Sequence, residues 1–138
     1  MPRILAIDYG GKRCGVAVTD PMQIIATGLK TVPTQELMPF LKDYVGKEAV
    51  ETIVIGEPRH LDDTLAPAAE MVHNFVKFLQ RTFPHIPVEL VDESYSSKRA
   101  VESLVQSGMK KKDRQKKENL DVVAATIILQ DYLESKER

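Results

Sequence analysis

Short apolar runs alternate with turn-forming residues at the start of the chain. Branched apolar residues fill Ile4 to Ile7, and the turn residues Gly10-Gly11 follow shortly afterwards. Glycine suits such a turn because it adopts positive φ angles at little cost. The run from Cys14 to Thr19 then indicates a returning strand, and a third strand is expected within Ile24 to Val32. The pattern predicts a β-hairpin extended by one more strand.

Helical and strand-like patterns alternate in the rest of the chain. Apolar residues recur at helical spacing from Leu37 to Val45, and Pro39 places the start of this helix close by, because proline fits a first turn. The other predicted elements are strands at Thr52 to Ile55 and Val88 to Val91, and helices around Met71 to Leu79, from Ser96 or Ser97 to Gly108, and over Leu120 to Leu133.

This order predicts an α/β fold with a mixed five-stranded sheet. Three antiparallel strands come first, alternating helices and strands follow, and helices cover both faces of the sheet. With 138 residues and 43% hydrophobic residues, the chain suits one domain spanning residues 1–138. The longest apolar runs are too short for a membrane span, and the first residues do not resemble a signal peptide. The single cysteine, Cys14, excludes an intrachain disulfide, and a cytoplasmic protein is expected.

Acidic residues follow three of the predicted strands. Asp8 ends the first strand, Glu57 lies just past the strand at residues 52–55, and Asp92-Glu93 follows the strand at residues 88–91. In open α/β sheets, ligands bind beyond the carboxyl ends of the strands. Asp121 is expected in the first turn of the last helix, on one stripe with the small Ala124 and Ala125. That helix could therefore approach the sheet closely and bring Asp121 toward the strand ends.

Carboxylates that converge on one point repel one another unless cations neutralise them. Mg²⁺ and Mn²⁺ prefer oxygen ligands, and two such ions about 4 Å apart can activate water and stabilise a leaving oxygen in phosphodiester cleavage. Each acid also has an ordinary explanation. Asp8 suits a turn, Asp121 complements a helix dipole, and Asp92-Glu93 suits a solvated loop.

Positive charge is concentrated in one stretch of a chain whose net charge is −1. Six of the eight residues from 110 to 117 are basic, in the order KKKDRQKK, and we call this stretch the basic segment. Lysine-rich stretches are often only solvated loops. Beside an acidic metal site, however, cations are needed to hold a polyanion, which favours phosphate binding. The candidate contacts are Lys110, Lys111, Lys112, Arg114 and Lys117.

These motifs resemble the YqgF/RuvX family over nearly the whole chain. The segment from Ile7 to Asp20, IDYGGKRCGVAVTD, is similar to the family's D-x-G-x-K-R-x-G-[IV]-A-V-[ST]-D opening. Val54 to Pro58 is similar to a V-x-G-x-P block, and Asp92-Glu93 matches the start of a D-E-R block. Lys117 to Gln130 matches a K-x-x-x-D-x-x-[AS]-A-x-x-[IV]-L-[QE] close. The resemblance implies an RNase H-like fold.

Carried over residue by residue, the resemblance implies that Asp8, Glu93 and Asp121 are catalytic acids that bind Mg²⁺ or Mn²⁺. It also places Lys12, Arg13 and Lys117 near substrate phosphates. Two positions depart from the family pattern. Ser94 stands where the family has arginine, and Glu57 stands where the family has a leucine-like residue. Because Glu57 follows the strand expected beside that of Asp8, we hypothesise that it adds to or shares the metal site.

The expected function is metal-dependent hydrolysis of phosphodiester bonds in structured nucleic acid. Members of the family are described as nucleases of pre-16S rRNA or as Holliday-junction resolvases. Processing of the 5′ end of pre-16S rRNA in ribosome biogenesis is our first expectation, and cleavage of branched DNA is the second. The missing arginine keeps open a third function, that of an RNA-binding assembly factor without turnover. An ATP-handling domain is a weaker alternative, because such proteins pair two domains around a cleft and 138 residues supply only one of them.

Overall fold

The structure is a computed structural model that describes residues 2–57, 69–92 and 117–136, with the side chains of residues 92, 117–121 and 136 left out. Five strands and three helices lie in these ranges. In chain order they are β1 (Arg3–Asp8), β2 (Arg13–Thr19), β3 (Ala26–Pro33), α1 (Thr34–Lys47), β4 (Val50–Glu57), α2 (Ala69–Thr82), β5 (Val88–Asp92) and α3 (Lys117–Lys136).

All five strands belong to one sheet in the order β3-β2-β1-β4-β5. The hairpin half is antiparallel, with Leu5 of β1 beside Val18 of β2. The other half is parallel, because β4 runs alongside β1 and β5 runs alongside β4. The predicted mixed sheet of five strands is therefore confirmed, and β1 lies at its centre, where the antiparallel and parallel halves meet.

Alternation of side chains along each strand divides the core between the two faces of the sheet. One face packs against α1 and α2, and its cluster includes Leu5 and Ile7 of β1 with Leu41 of α1. The opposite face packs against α3, and there Ile4 and Ala6 of β1 contact residues of α3 that include Ala125, Ile128 and Leu129. Successive strand residues point to opposite faces, which produces two cores from one strand. The prediction of helices on both faces is confirmed.

Several predicted boundaries were wrong. Helix α1 begins at Thr34 and not near Pro39, which lies inside the helix. Leu37 and Leu41 on either side of Pro39 are fully buried, and their packing on the sheet offsets the backbone hydrogen bond that proline cannot donate. Strand β4 continues to Glu57, because strand pairing with β5 extends to that residue. The helix predicted from Ser96 or Ser97 to Gly108 lies outside the described residues.

Helix α3 lies very close to the edge strand β3 at Gly28. A side-chain carbon at this position would lie 2.4 Å from Val122 Cγ1 and 3.2 Å from Thr126 Oγ1. Atoms at 2.4 Å overlap, so only glycine allows the helix to sit at this distance from the strand. On the helix side, the small residue Ala125 is fully buried against Ala6 and Ala17 of the sheet, whereas Ala124 belongs to a separate cluster with Ile127.

Gly28→Ala is therefore expected to lower the free energy of unfolding by about 1–3 kcal/mol, the usual cost of overfilling a packed contact. Gly46→Ala is the matched control, because an added carbon at Gly46 of α1 has no atom within 4 Å. There alanine should stabilise the helix by about 0.5–1 kcal/mol. Urea denaturation of both variants measures the difference, and a Gly28 variant as stable as wild type would contradict this close contact.

Candidate active site

Acidic residues end three neighbouring parallel strands. Asp8, Glu57 and Asp92 are the last residues of β1, β4 and β5. The registers place Ile7 beside Ile55 and Glu57 beside Asp92, so the three strands end at nearly the same level. As predicted, the backbone places these acidic residues together, at the edge of the sheet formed by the carboxyl ends of its parallel strands. We call this edge the acidic edge.

The side chains of Asp8 and Glu57 leave the sheet on opposite faces. Ile7 contributes to the core under α1 and α2, so the next residue, Asp8, points to the α3 side by strand alternation. Ile55 also belongs to the core under α1 and α2, and Glu57, two residues later, points to that same side. Asp8 is half-buried and has partners within the structure. The two carboxylates therefore face different surroundings.

Glu57 is only 7% exposed, and His73 of α2 contacts it. The distance from His73 Nε2 to Glu57 Oε2 is 2.5 Å, and 38% of the histidine side chain is exposed. A buried carboxylate is costly without hydrogen-bond partners, and His73 supplies one. The sequence-based hypothesis for Glu57 is that it adds to or shares the metal site. Its contact with His73 has no signal in the sequence, because sixteen residues separate the pair and no local motif links them.

Removing the imidazole is expected to destabilise the protein, because Glu57 loses a hydrogen-bond partner in a buried position. We expect His73→Ala to lower the free energy of unfolding by about 1–3 kcal/mol, as measured by urea denaturation at neutral pH. His85→Ala is the matched control, since His85 is exposed, and it should change stability by less than about 0.5 kcal/mol. Equal stability of the two variants would show that the His73 contact contributes nothing.

Helix α3 crosses the face of the sheet to which Asp8 points, and its N-terminal part lies toward the acidic edge. Its later residue Leu133 lines a cavity with Ala26, which pairs with Thr19 near the start of β1. Its earlier residue Val122 lies over Gly28, which is further toward the end of β1. The start of α3 therefore lies closer to Asp8 than its end does.

Asp121 belongs to the part of α3 that extends toward the acidic edge. It was predicted in the first turn of this helix, but α3 already includes Lys117, so Asp121 lies beyond that turn. Stabilisation by the helix dipole falls off within the first turn, which weakens the ordinary explanation for this acid.

The turn between β1 and β2 carries two of the predicted phosphate contacts. Lys12 is exposed and Arg13, the first residue of β2, is half-buried. The backbone N–H of Thr34 donates to the Lys12 carbonyl at 3.0 Å, which ties this turn to the start of α1. Lys117 opens α3. The remaining predicted site residues, Glu93 with Lys110, Lys111, Lys112 and Arg114, lie outside the described residues.

Among the side chains that the structure describes, no group of three histidine, cysteine or carboxylate residues is close enough together to hold a metal ion. The proposed ligands Glu93 and Asp121 are not among those side chains. The donor that is described, the carboxylate of Asp8 at the strand end, is a hard oxygen ligand of the kind Mg²⁺ and Mn²⁺ prefer. In the same described part of the chain, no helix is long and apolar enough to cross a membrane.

The sheet order, its helices on both faces and the acids at its strand ends define an RNase H-like α/β domain. A family model described as "RuvX: Holliday junction resolvase" matches residues 2–135. The chain belongs to this RuvX family, which confirms the resemblance found in its sequence.

Curated relatives cover almost the entire chain. A protein of Flavobacterium johnsoniae is 52% identical over 136 residues, which are 99% of this chain and 99% of the relative. A protein of Bacteroides thetaiotaomicron is 51% identical over the same length and the same shares. One from Amoebophilus asiaticus is 51% identical over 138 residues, covering 100% of this chain and 98% of the relative. All three carry the name "Putative pre-16S rRNA nuclease".

Proposed function

We propose that this protein is a metal-dependent nuclease that hydrolyses phosphodiester bonds in structured RNA, with the 5′ end of pre-16S rRNA as its substrate. The observation that carries the proposal is the acidic edge, where a half-buried Asp8 closes the central strand of an RNase H-like sheet. The names of relatives that match this chain at full length support the same activity. Such a protein works in the cytoplasm, where ribosomes are assembled.

The proposed metal ligands are Asp8, Glu93 and Asp121, with Mg²⁺ or Mn²⁺ as the ion. Asp8 faces the α3 side of the sheet, the N-terminal part of α3 lies toward the acidic edge, and Glu93 directly follows the end of β5. Bound metal would supply charge neutralisation and activation of water for attack on phosphorus. The three carboxylates would hold that ion, and the rigid end of β1 would fix its position relative to the sheet.

Positive side chains would hold the RNA backbone against an edge that is otherwise negative. Lys12 and Arg13 lie across one short turn from Asp8 and would contact phosphates on either side of the cleaved bond. Lys117 and the rest of the basic segment immediately precede the part of α3 that carries Asp121. Cations next to the acids are physically required, because a polyanion approaching bare carboxylates is repelled.

Glu57 has a different role in this proposal from that of the three ligands. It points to the α2 side and forms a hydrogen bond with His73. It would therefore stabilise the position of the end of β4 beside β1. Its contribution to metal binding can be measured directly. Glu57→Leu with unchanged Mg²⁺ affinity would limit Glu57 to this structural role, whereas weaker Mg²⁺ binding would make it a further ligand.

Cleavage assays on two substrates test the proposal. The protein would be incubated with an RNA containing the 5′ leader of 16S rRNA and with a four-way DNA junction, in Mg²⁺, in Mn²⁺ and in chelator. Metal-dependent cleavage of the RNA in preference to the junction is the expected result. Preferred cleavage of the junction would favour the activity in the family's description. RNA binding without cleavage in either metal would overturn the nuclease proposal and favour an assembly factor.

A further inference from the structure

A cavity of about 530 Å³ opens next to the acidic edge, on the α2 side of the sheet. It is distinct from the proposed metal ligands, because Asp8 points to the opposite, α3 side. Its described lining is Tyr9, Glu70, Met71, Asn74, Phe75 and Phe78.

Helix α2 builds most of this cavity with residues that lie beside its core-facing side, where Phe75 is half-buried against the core and Phe78 is exposed. Asn74, Phe75 and Phe78 lie three, four and seven residues after Met71 and therefore share one side of the helix with it. The fully buried residues Val72 and Leu79 mark the core-facing side, which packs on the sheet. Phe78 is 46% exposed. The ring of Phe78 therefore leaves aromatic surface open to solvent that core packing does not require.

Tyr9 closes the cavity from the strand side. Its ring stacks on that of Phe75, with centroids 4.3 Å apart and an angle of 26° between the planes. The residue therefore offers a fixed aromatic face and a hydrogen-bond donor.

The chemistry of the lining fits a nucleobase better than a phosphate. Aromatic faces bind bases by stacking, whichever base is present. The Asn74 amide can donate and accept hydrogen bonds, and the Glu70 carboxylate can accept them from amino groups on a base edge. The six described lining residues include no cation, and Glu70 would repel a phosphate. The described lining therefore suits the uncharged part of a nucleotide.

The position of the cavity connects it to the proposed cleavage reaction. Tyr9 directly follows Asp8, so their Cα atoms are only about 3.8 Å apart. The exposed Lys12 lies three residues further along the same turn. Asp8 and Tyr9 leave this strand end on opposite faces, so a substrate strand that crosses the end of β1 would place the cleaved phosphate at Asp8, a neighbouring base at Tyr9 and the next phosphate at Lys12.

We propose that this cavity binds one unpaired base of the substrate strand, stacked against Tyr9, Phe75 and Phe78 beside the cleaved bond. The inference rests on the proposed function, since the substrate is taken to be a nucleic acid. It adds a requirement that the metal ligands do not impose, namely that at least one nucleotide near the cleavage position is unstacked from its neighbours. Fully paired helices would then be poor substrates.

The test measures binding of short single-stranded RNAs in chelator, with and without one abasic nucleotide placed at successive positions. For wild type, the abasic change at one position should weaken binding by about 10-fold to 100-fold, the usual effect of losing one stacked base. Phe78→Ala should weaken binding of intact RNA by a similar factor and should make binding insensitive to the abasic position. Leu29→Ala is the control, because Leu29 is 40% exposed on the distant edge strand β3.

Failure of this inference differs from failure of the proposed function. If wild type cleaves RNA while Phe78→Ala and Tyr9→Ala bind every RNA as tightly as wild type does, the base site is overturned and the nuclease stands. If wild type cleaves no substrate but shows the abasic effect, and Phe78→Ala abolishes that effect, the base site stands without the nuclease. A 2-aminopurine at the sensitive position should also lose fluorescence on binding wild type and retain it with Phe78→Ala.

Discussion

Asp8→Asn is expected to lower the rate of RNA cleavage by at least about 100-fold. Loss of a group that merely supports a metal ligand costs about 10-fold to 100-fold in affinity or activity, so loss of a ligand itself should reach the upper end of that range or exceed it. Asparagine has the same size and keeps one carbonyl oxygen, but it removes the negative charge that would neutralise the ion. Single-turnover cleavage of the pre-16S RNA substrate in Mg²⁺ measures the effect.

The matched control is Asp43→Asn, which removes the same charge from the exposed surface of α1. Asp43 forms a surface ion pair with Lys47 at 3.2 Å, and such pairs contribute little to stability. This variant should cleave at the wild-type rate. RNA binding in chelator should also be retained by Asp8→Asn, because the charge removed there repels phosphates. An Asp8→Asn protein that folds normally and cleaves as fast as wild type would refute the metal site.

The second large effect is expected from the basic segment. Each phosphate contact contributes about 0.9 to the salt dependence of binding to a duplex and about 0.7 for a single strand, because it releases condensed counterions. Changing Lys110, Lys111 and Lys112 to alanine should therefore reduce the slope of log K against log salt by about 2 to 3. Binding should also weaken, most strongly at low salt. Fluorescence anisotropy over a series of KCl concentrations measures both quantities.

A triple variant at Lys42, Lys47 and Arg81 provides the control for net charge. These residues are exposed on α1 and α2, away from the acidic edge. Their replacement by alanine also removes three positive charges, as many as in the basic-segment variant. Its salt slope should fall far less than that of the basic-segment variant. Equal salt slopes for the two triple variants would mean that the basic segment only contributes to the electrostatic field of the whole protein and does not contact phosphates.

The sequence predicted the strands well, because their apolar runs are short and bounded by turn residues. Asp8 could be placed at the end of the central strand from its position between Ile7 and the glycine turn. Membership of the family followed from the motif that begins at this residue and ends at Asp20. These features are local in sequence, so local physical rules are sufficient to recognise them.

The surroundings of the acids depended on long-range packing and could not be predicted in the same way. The alternation of side chains along β4 places Glu57 on the α2 side of the sheet. The contact with His73 exists only because α2 packs across that face. The preference of proline for a first turn predicts a start of α1 near Pro39, but the helix begins at Thr34, because burial of Leu37 and Leu41 maintains it around the proline. In both cases tertiary packing outweighed the local signal.

The place of α3 in the chain has a consequence for synthesis on the ribosome. The apolar side chains of Ile4, Ala6 and Val54 are made early, yet the helix that covers them comes after every strand of the sheet. A nascent chain would expose this surface until α3 emerges from the exit tunnel, when docking becomes possible. The same helix carries Asp121, so maturation of the fold and acquisition of the proposed third ligand would coincide. A partly synthesised chain would therefore lack both the cover of this sheet face and one of the acids of the proposed site.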